Sequence, residues 1–147
     1  MNKSKDIVAY CCFKRSIFLD PFRWDAHTNL AKLLMKKGKY VGAQIHIRTA
    51  IKLKPDSYLY NMLGRCLFEL GDEINGEKSF EEGYKRFNDE ECRCNQICLL
   101  LKVGNKDKAK RIYDEWQKEG AKTESAREKL VEINRFLWSA IDGYYWI

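Results

Sequence analysis

The chain has 147 residues, 45% of them apolar, and a formal net charge of +6. That is enough apolar mass for a packed core and too much for a disordered chain. No apolar run approaches the ~20 residues of a membrane span, and the opening MNKSKDIVAYCC lacks a signal-peptide apolar region with a small-residue cleavage site. Six cysteines (Cys11, Cys12, Cys66, Cys92, Cys94 and Cys98) without a secretory leader read as the reduced thiols of a cytoplasmic protein. Residues 1–57 carry 12 Lys/Arg against 4 Asp/Glu, whereas the remainder is close to neutral. A basic leading third suits an acidic contact or a solvated basic face.

In chain order, residues 6–20 read as one helix ended by Pro21. Pro55 follows 34 residues later, and the segments before the two prolines align: Ala9 with Ala43, Phe13 with Ile47, Ser16 with Ala50, Leu19 with Leu53. A second register starts at Gly38, Gly71 and Gly104, 33 residues apart. Each lies between two helix-periodic segments, where a left-handed helix cap is needed. Behind each glycine, Ala43, Gly76 and Ala109 recur in step, then Ile47, Phe80 and Tyr113, then Ala50, Gly83 and Trp116. Small residues recur where helix axes approach; large ones recur where space must be filled. This predicts helix pairs over 24–56, 57–89 and 90–122 that bury their apolar stripes by stacking. Glu119-Gly120 reads as a stop. Ser125 and Glu128 then form a capping box for a covering helix over 123–143, with Ala126, Leu130, Ile133, Leu137, Ile141 and Tyr144 at helical spacing. The ending YYWI is expected to fold back onto that helix.

The pattern NLAKLL…G…Y…A…I…A…L.P in 29–55, and MLGRCLFELG…G…F…G in 62–83, resembles the tetratricopeptide repeat, TPR. The resemblance implies an all-α solenoid of antiparallel helix pairs: a leading half-repeat, three repeats and a C-terminal capping helix. The third repeat departs from the pattern at Gln96, Ile97 and Trp116, which implies different packing near the array end. The leading helix lacks its pair, which leaves Ile7, Cys11 and Phe18 exposed for a partner or for self-association.

In arrays of this kind the first helix of each pair lines a concave groove. The residues placed there are Thr28, Lys32, Met35, Lys36, Tyr58, Asn61, Arg65, Phe68, Leu101 and Lys102, with Cys94 and Cys98 completing two rungs. An apolar ladder of Met35, Phe68 and Leu101 beside basic residues suits an acidic protein or peptide segment with apolar anchors; the same three residues read equally well as packing between helices. The carboxylate clamp of Hsp70 and Hsp90 co-chaperones would fall on Thr28, Lys32, Met62, Glu91 and Asn95. None has the required identity, so the acidic chaperone C-terminus is not the expected ligand.

The junction Cys12, Lys14, Arg15, Leu19, Pro21, Phe22, Trp24, then Asn29-Leu30, is similar to late repeats of the TPR subunit of the BBSome, the Bardet–Biedl ciliary coat. A Pro-Phe-x-Trp junction also resembles Cdc27-type scaffolds of the anaphase-promoting complex. Both imply a structural subunit of a cytoplasmic, ciliary or nuclear complex.

Little in the chain points to chemistry. Its two histidines, His27 and His46, fall on different helices with no nucleophile at a recognisable spacing. Cys94 and Cys98 share a helix face, but no CxxC pair completes a zinc set, and no phosphate or dinucleotide fingerprint occurs. Lys32, Lys36, Lys37, Lys39, Arg48, Lys52 and Lys54 form a basic cluster without interleaved aromatics, which disfavours nucleic acid. The expected function is a non-catalytic scaffold or adaptor needing no cofactor. The alternatives are a small TPR chaperone of secreted substrates, or an RNA-binding helical repeat.

Overall fold

Three glycines set the geometry of the chain. In a computed structural model that describes residues 3–141, apart from the side chains of 136 and 138–141, Gly38, Gly71 and Gly104 take φ of 71°, 79° and 82°. Only glycine adopts that left-handed region without a steric penalty. Each turn closes in the same way. The glycine N–H donates to Met35, Phe68 or Leu101, and the next residue donates to Leu34, Leu67 or Leu100. The chain therefore folds back on itself every 33 residues.

Among the described residues there are eight helices: α1 (Lys3–Leu19), α2 (Trp24–Lys36), α3 (Tyr40–Leu53), α4 (Ser57–Glu69), α5 (Glu73–Phe87), α6 (Glu90–Lys102), α7 (Lys106–Glu119) and α8 (Glu124–Ile141). No strand occurs among them, and no helix there is long and apolar enough to cross a membrane. Helices α2 to α7 form three antiparallel pairs stacked as a solenoid, with α1 against α2 and α8 against α6 and α7. Corners between pairs are built from aspartates: the side chains of Asp56 and Asp89 accept from the backbone N–H of Tyr58 and Glu91.

Stacking depends on size contrast. Ala43, Ile47 and Ala50 are fully buried in a first core cluster with Leu30, Ala31 and Leu63. A second cluster holds Cys92, Ile97, Tyr113, Trp116 and the α8 residues Ala126, Ile133 and Leu137. Between the clusters α4 and α5 cross at their closest: a Cβ on Gly64 would lie 2.6 Å from the Phe80 ring, and one on Gly76 would lie 3.1 Å from the Gly64 carbonyl. Where the third repeat departs from the pattern, the packing becomes polar. Buried Gln96 donates to Glu77 and accepts from Arg93 Nη1, and Lys108 pairs with Glu77 at 2.6 Å. Trp116 fills the space that a small residue leaves in earlier repeats, 1% exposed.

The start of α8 differs from the expected capping box. Thr123, not Ser125, is the cap: its hydroxyl accepts from the Ala126 N–H, and Ser125 lies inside the helix. Thr123 has a second role that selects it. Buried Glu90 of α6 accepts from its N–H and hydroxyl, and from the Lys122 N–H at 2.6 Å. The side chain of Ile141, Tyr144 and the YYWI ending lie outside the described residues.

Two substitutions test this packing. Gly64→Ala forces a methyl against the Phe80 ring and should cost about 1–3 kcal/mol in chemical denaturation; a variant as stable as the parent would contradict the tight crossing. Glu90→Ala strands three donors and should cost about 1–3 kcal/mol. Burial opposes the Glu90 charge, but the donors of Lys122 and Thr123 outweigh it and hold the carboxyl below its ordinary value. A depressed carboxyl stabilises the fold above its unfolded value and loses that contribution as pH falls through the folded one. The loss of stability with acid should therefore be shallower in Glu90→Ala than in the parent, as followed by denaturation at a series of acidic pH values.

Candidate functional site: the α2–α4–α6 groove

Helices α2, α4 and α6 are the first members of their pairs, and two adjoining concavities run along them. The first, about 300 Å³, is lined by Lys32, Met35 and Lys36 of α2, by Tyr40 at the start of α3, and by Tyr58, Met62, Arg65 and Glu69 of α4. The second, about 260 Å³, lies between α4 and α6, with Phe68, Phe80, Asn95, Cys98, Leu99 and Lys102 around the same Arg65 and Glu69. Arg65 and Glu69 thus join the two into one surface.

The cations of this surface stand on aromatic rings. Lys32 Nζ lies 4.9 Å from the centre of the Tyr58 ring, and Lys102 Nζ lies 5.4 Å from that of Phe68. Each contact spans two repeats and holds a long side chain against an apolar surface without neutralising it. Lys32, Lys36, Arg65 and Lys102 face a single lining carboxylate, Glu69. Deeper in, Asn95 Nδ2 donates to Asn61 Oδ1 at 2.9 Å and ties α6 to α4.

The structure gathers Lys32, Met35, Lys36, Tyr58, Arg65, Phe68 and Lys102 on this surface, but it corrects three expected members. Thr28 is 7% exposed and donates its hydroxyl to the Trp24 carbonyl, so it is a structural residue of α2. Asn61 is also buried and is engaged by Asn95. Leu101 is half-buried against the second core cluster. Lys36 is shared, since its ammonium also reaches Asp6 of α1 at 3.4 Å. Of the thiols, Cys98 is half-buried on the groove lining, whereas Cys94 is buried in the second core cluster. Burial pushes the Cys94 thiol up to about 12 and raises that of Cys98, so both stay protonated and unreactive at neutral pH.

Tyr40 and Phe80 escaped the rung-by-rung reading because they come from second helices. Phe80 carries a usable signal: it lies in the same stack as a glycine, Gly64, whose missing side chain lets the ring through to the groove.

On the leading helix, Phe13 and Ile17 pack against the first core, whereas Ile7 is 63% and Phe18 84% exposed, with Cys11 also exposed. Phe22 in the following turn is similarly open, and Trp24 lies under Lys54 Nζ at 4.2 Å from its ring centre. Ala9, Phe13 and Ser16 remain half-buried, whereas their equivalents Ala43, Ile47 and Ala50 are fully buried because α2 covers them.

A tetratricopeptide-repeat family model matches residues 25–57 and 57–89, the spans of the first two helix pairs. The chain is 28% identical over 135 residues to the BBSome complex member BBS4 of Xenopus tropicalis, which covers 90% of this chain and 26% of that protein. It is 29% identical over 122 residues to BBS4 of Mus musculus, covering 80% of this chain and 23% of that protein. The chain therefore spans about a quarter of the length of these curated relatives. Among solved structures, the crystal structure of MamA superposes with a TM-score of 0.69 at 17% identity, covering 90% of this chain and 66% of that one. Repeat model, relatives and helix stacking agree: residues 25–89 are tetratricopeptide repeats within an all-α solenoid, and the chain bears a weak resemblance to BBS4.

Proposed function

We propose that the chain is a non-catalytic scaffold that holds an acidic protein segment with apolar anchors along the α2–α4–α6 groove, as part of a larger complex. The observation that carries this reading is the pair of adjoining concavities, in which four cations face one lining carboxylate and two of the cations are propped on Tyr58 and Phe68. Carboxylates of a partner would meet Lys32, Arg65 and Lys102 at the rim. Apolar side chains would enter between Met35, Met62 and Phe68. Such central anchors ringed by polar contacts are how a small interface concentrates its binding energy. The relatives are named as members of a complex, in keeping with a subunit that positions other proteins. The exposed Ile7 and Phe18 face of α1 is a second contact surface in this reading.

The acidic C-terminus of Hsp70 and Hsp90 does not suit the groove. Thr28 and Met62 occupy clamp positions with their side chains buried, and Glu91 would repel a carboxylate.

Replacing Arg65→Glu and Phe68→Ala together should weaken the partner recovered with the native chain by roughly tenfold or more, at least ~1.4 kcal/mol. Circular dichroism should show the helicity retained, because neither residue is fully buried. Binding unchanged in the double variant would contradict the groove reading.

A further inference from the structure

The groove leaves the two histidines of the chain unused, and the fold brings them together. His27 of α2 and His46 of α3 approach with 3.0 Å between their Nδ1 atoms, their rings tilted by 35°. The other ring nitrogen of His27, Nε2, lies 2.9 Å from the Pro21 carbonyl oxygen in the turn between α1 and α2. A carbonyl only accepts, so Nε2 carries the hydrogen. Nδ1 of neutral His27 is then a bare acceptor, and the hydrogen in the 3.0 Å contact belongs to His46 Nδ1. The open site for a further proton is His46 Nε2.

Two protons added in turn have opposite effects. The first, on His46 Nε2, leaves His46 Nδ1–H donating to His27 and makes that bond charge-assisted. The second must go to His27 Nδ1. Two N–H groups would then point at each other across a contact that has room for one, between two positive rings. Burial, then His27, then Lys14 of α1 hold the His46 imidazole below its ordinary value, and no carboxylate and no group of α4 is among its causes. The carboxylate at the start of α2, Asp25, is already paired with Arg23 at 2.6 Å.

The pair joins α2, α3 and the turn that delivers α1. Helix α1 has no buried residue of its own. Besides Phe13 and Ile17, its ties to the solenoid include this turn at one end and, at the other, Asp6 paired with Lys37 at 2.6 Å and Lys36 at 3.4 Å. The two polar ties depend on different groups. Lys37, most of all, holds the Asp6 carboxyl below its ordinary value, so that tie lasts until acid protonates a depressed carboxylate.

We propose that His27 and His46 form a proton-controlled latch on the α1–α2 turn, closed while the pair carries at most one added proton and opened by the second. The latch would let the second proton loosen α1, with its exposed Ile7 and Phe18, while the groove helices stay stacked.

The test is a titration of the imidazole nitrogen resonances in the full chain, from about pH 8 to about pH 4, with backbone amide exchange of α1 followed in parallel. The expected result is two coupled steps more than about one unit apart. The His27 Nε2–H should persist through the first step, and α1 protection should fall only with the second. His46→Asn places an amide where Nδ1 stood, able to donate or, after a flip, to accept. It should leave one titrating ring and α1 protection that is level across the same range. Lys14→Ala should move the first step toward the ordinary histidine value. Two independent steps at that ordinary value would overturn the proposal, and so would α1 protection that falls alike in the parent and in His46→Asn. Should His46→Asn lose helicity, the titration of the parent chain decides alone.

Discussion

Everything in this molecule depends on how closely α4 and α5 approach. With no side chain on Gly64, the Phe80 ring lies against the α4 backbone, and the carbonyl of Gly64 in turn approaches Gly76. A solenoid has no single central core, so each interface must be tight in its own right. In the first pair Ala31, Ala43 and Ala50 supply the smallness. In the third, Trp116 and the Gln96–Glu77–Lys108 chain supply contact by different means. Register is kept because the turn glycines are evenly spaced, and register is what aligns α2, α4 and α6 into one surface.

That surface is unusual in how its charges are held. Lysines are normally mobile and strongly hydrated, and ordering them costs side-chain entropy. Lys32 and Lys102 lie over rings supplied by the neighbouring repeat, so part of that cost is met during folding. Arg65, between the two concavities, has Glu69 beside it and no other lining carboxylate. The result is a basic groove with an apolar floor, positioned by stacking rather than by loops.

Much of this was legible from residue identity. Spacing of 33 and 34 residues exposes the helix pairs, because a left-handed turn demands glycine and a helix interior excludes proline. The groove was half legible. Register predicts which helix turn a residue occupies, and Lys32, Arg65, Phe68 and Lys102 line the two concavities. It does not predict which way a short polar side chain turns when a backbone carbonyl is within reach. Thr28 bonds to Trp24, and Asn61 is engaged by Asn95 from the next repeat. The start of α8 fails for a similar reason: Ser125 and Glu128 match a local capping pattern, but a buried acceptor 33 residues upstream, Glu90, holds Thr123 in the role instead. The histidine pair was illegible, since 19 residues of sequence and a change of helix separate two rings that meet at 3.0 Å.

The account stands or falls on which face of the solenoid meets another protein. Lysine-directed crosslinking of the chain in its native source, read by mass spectrometry, measures this directly. Lys32, Lys36 and Lys102 line the groove, whereas Lys78, Lys85 and Lys118 lie on second helices. The account predicts that crosslinks to partner proteins concentrate on the first group. Crosslinks confined to the second group would contradict it.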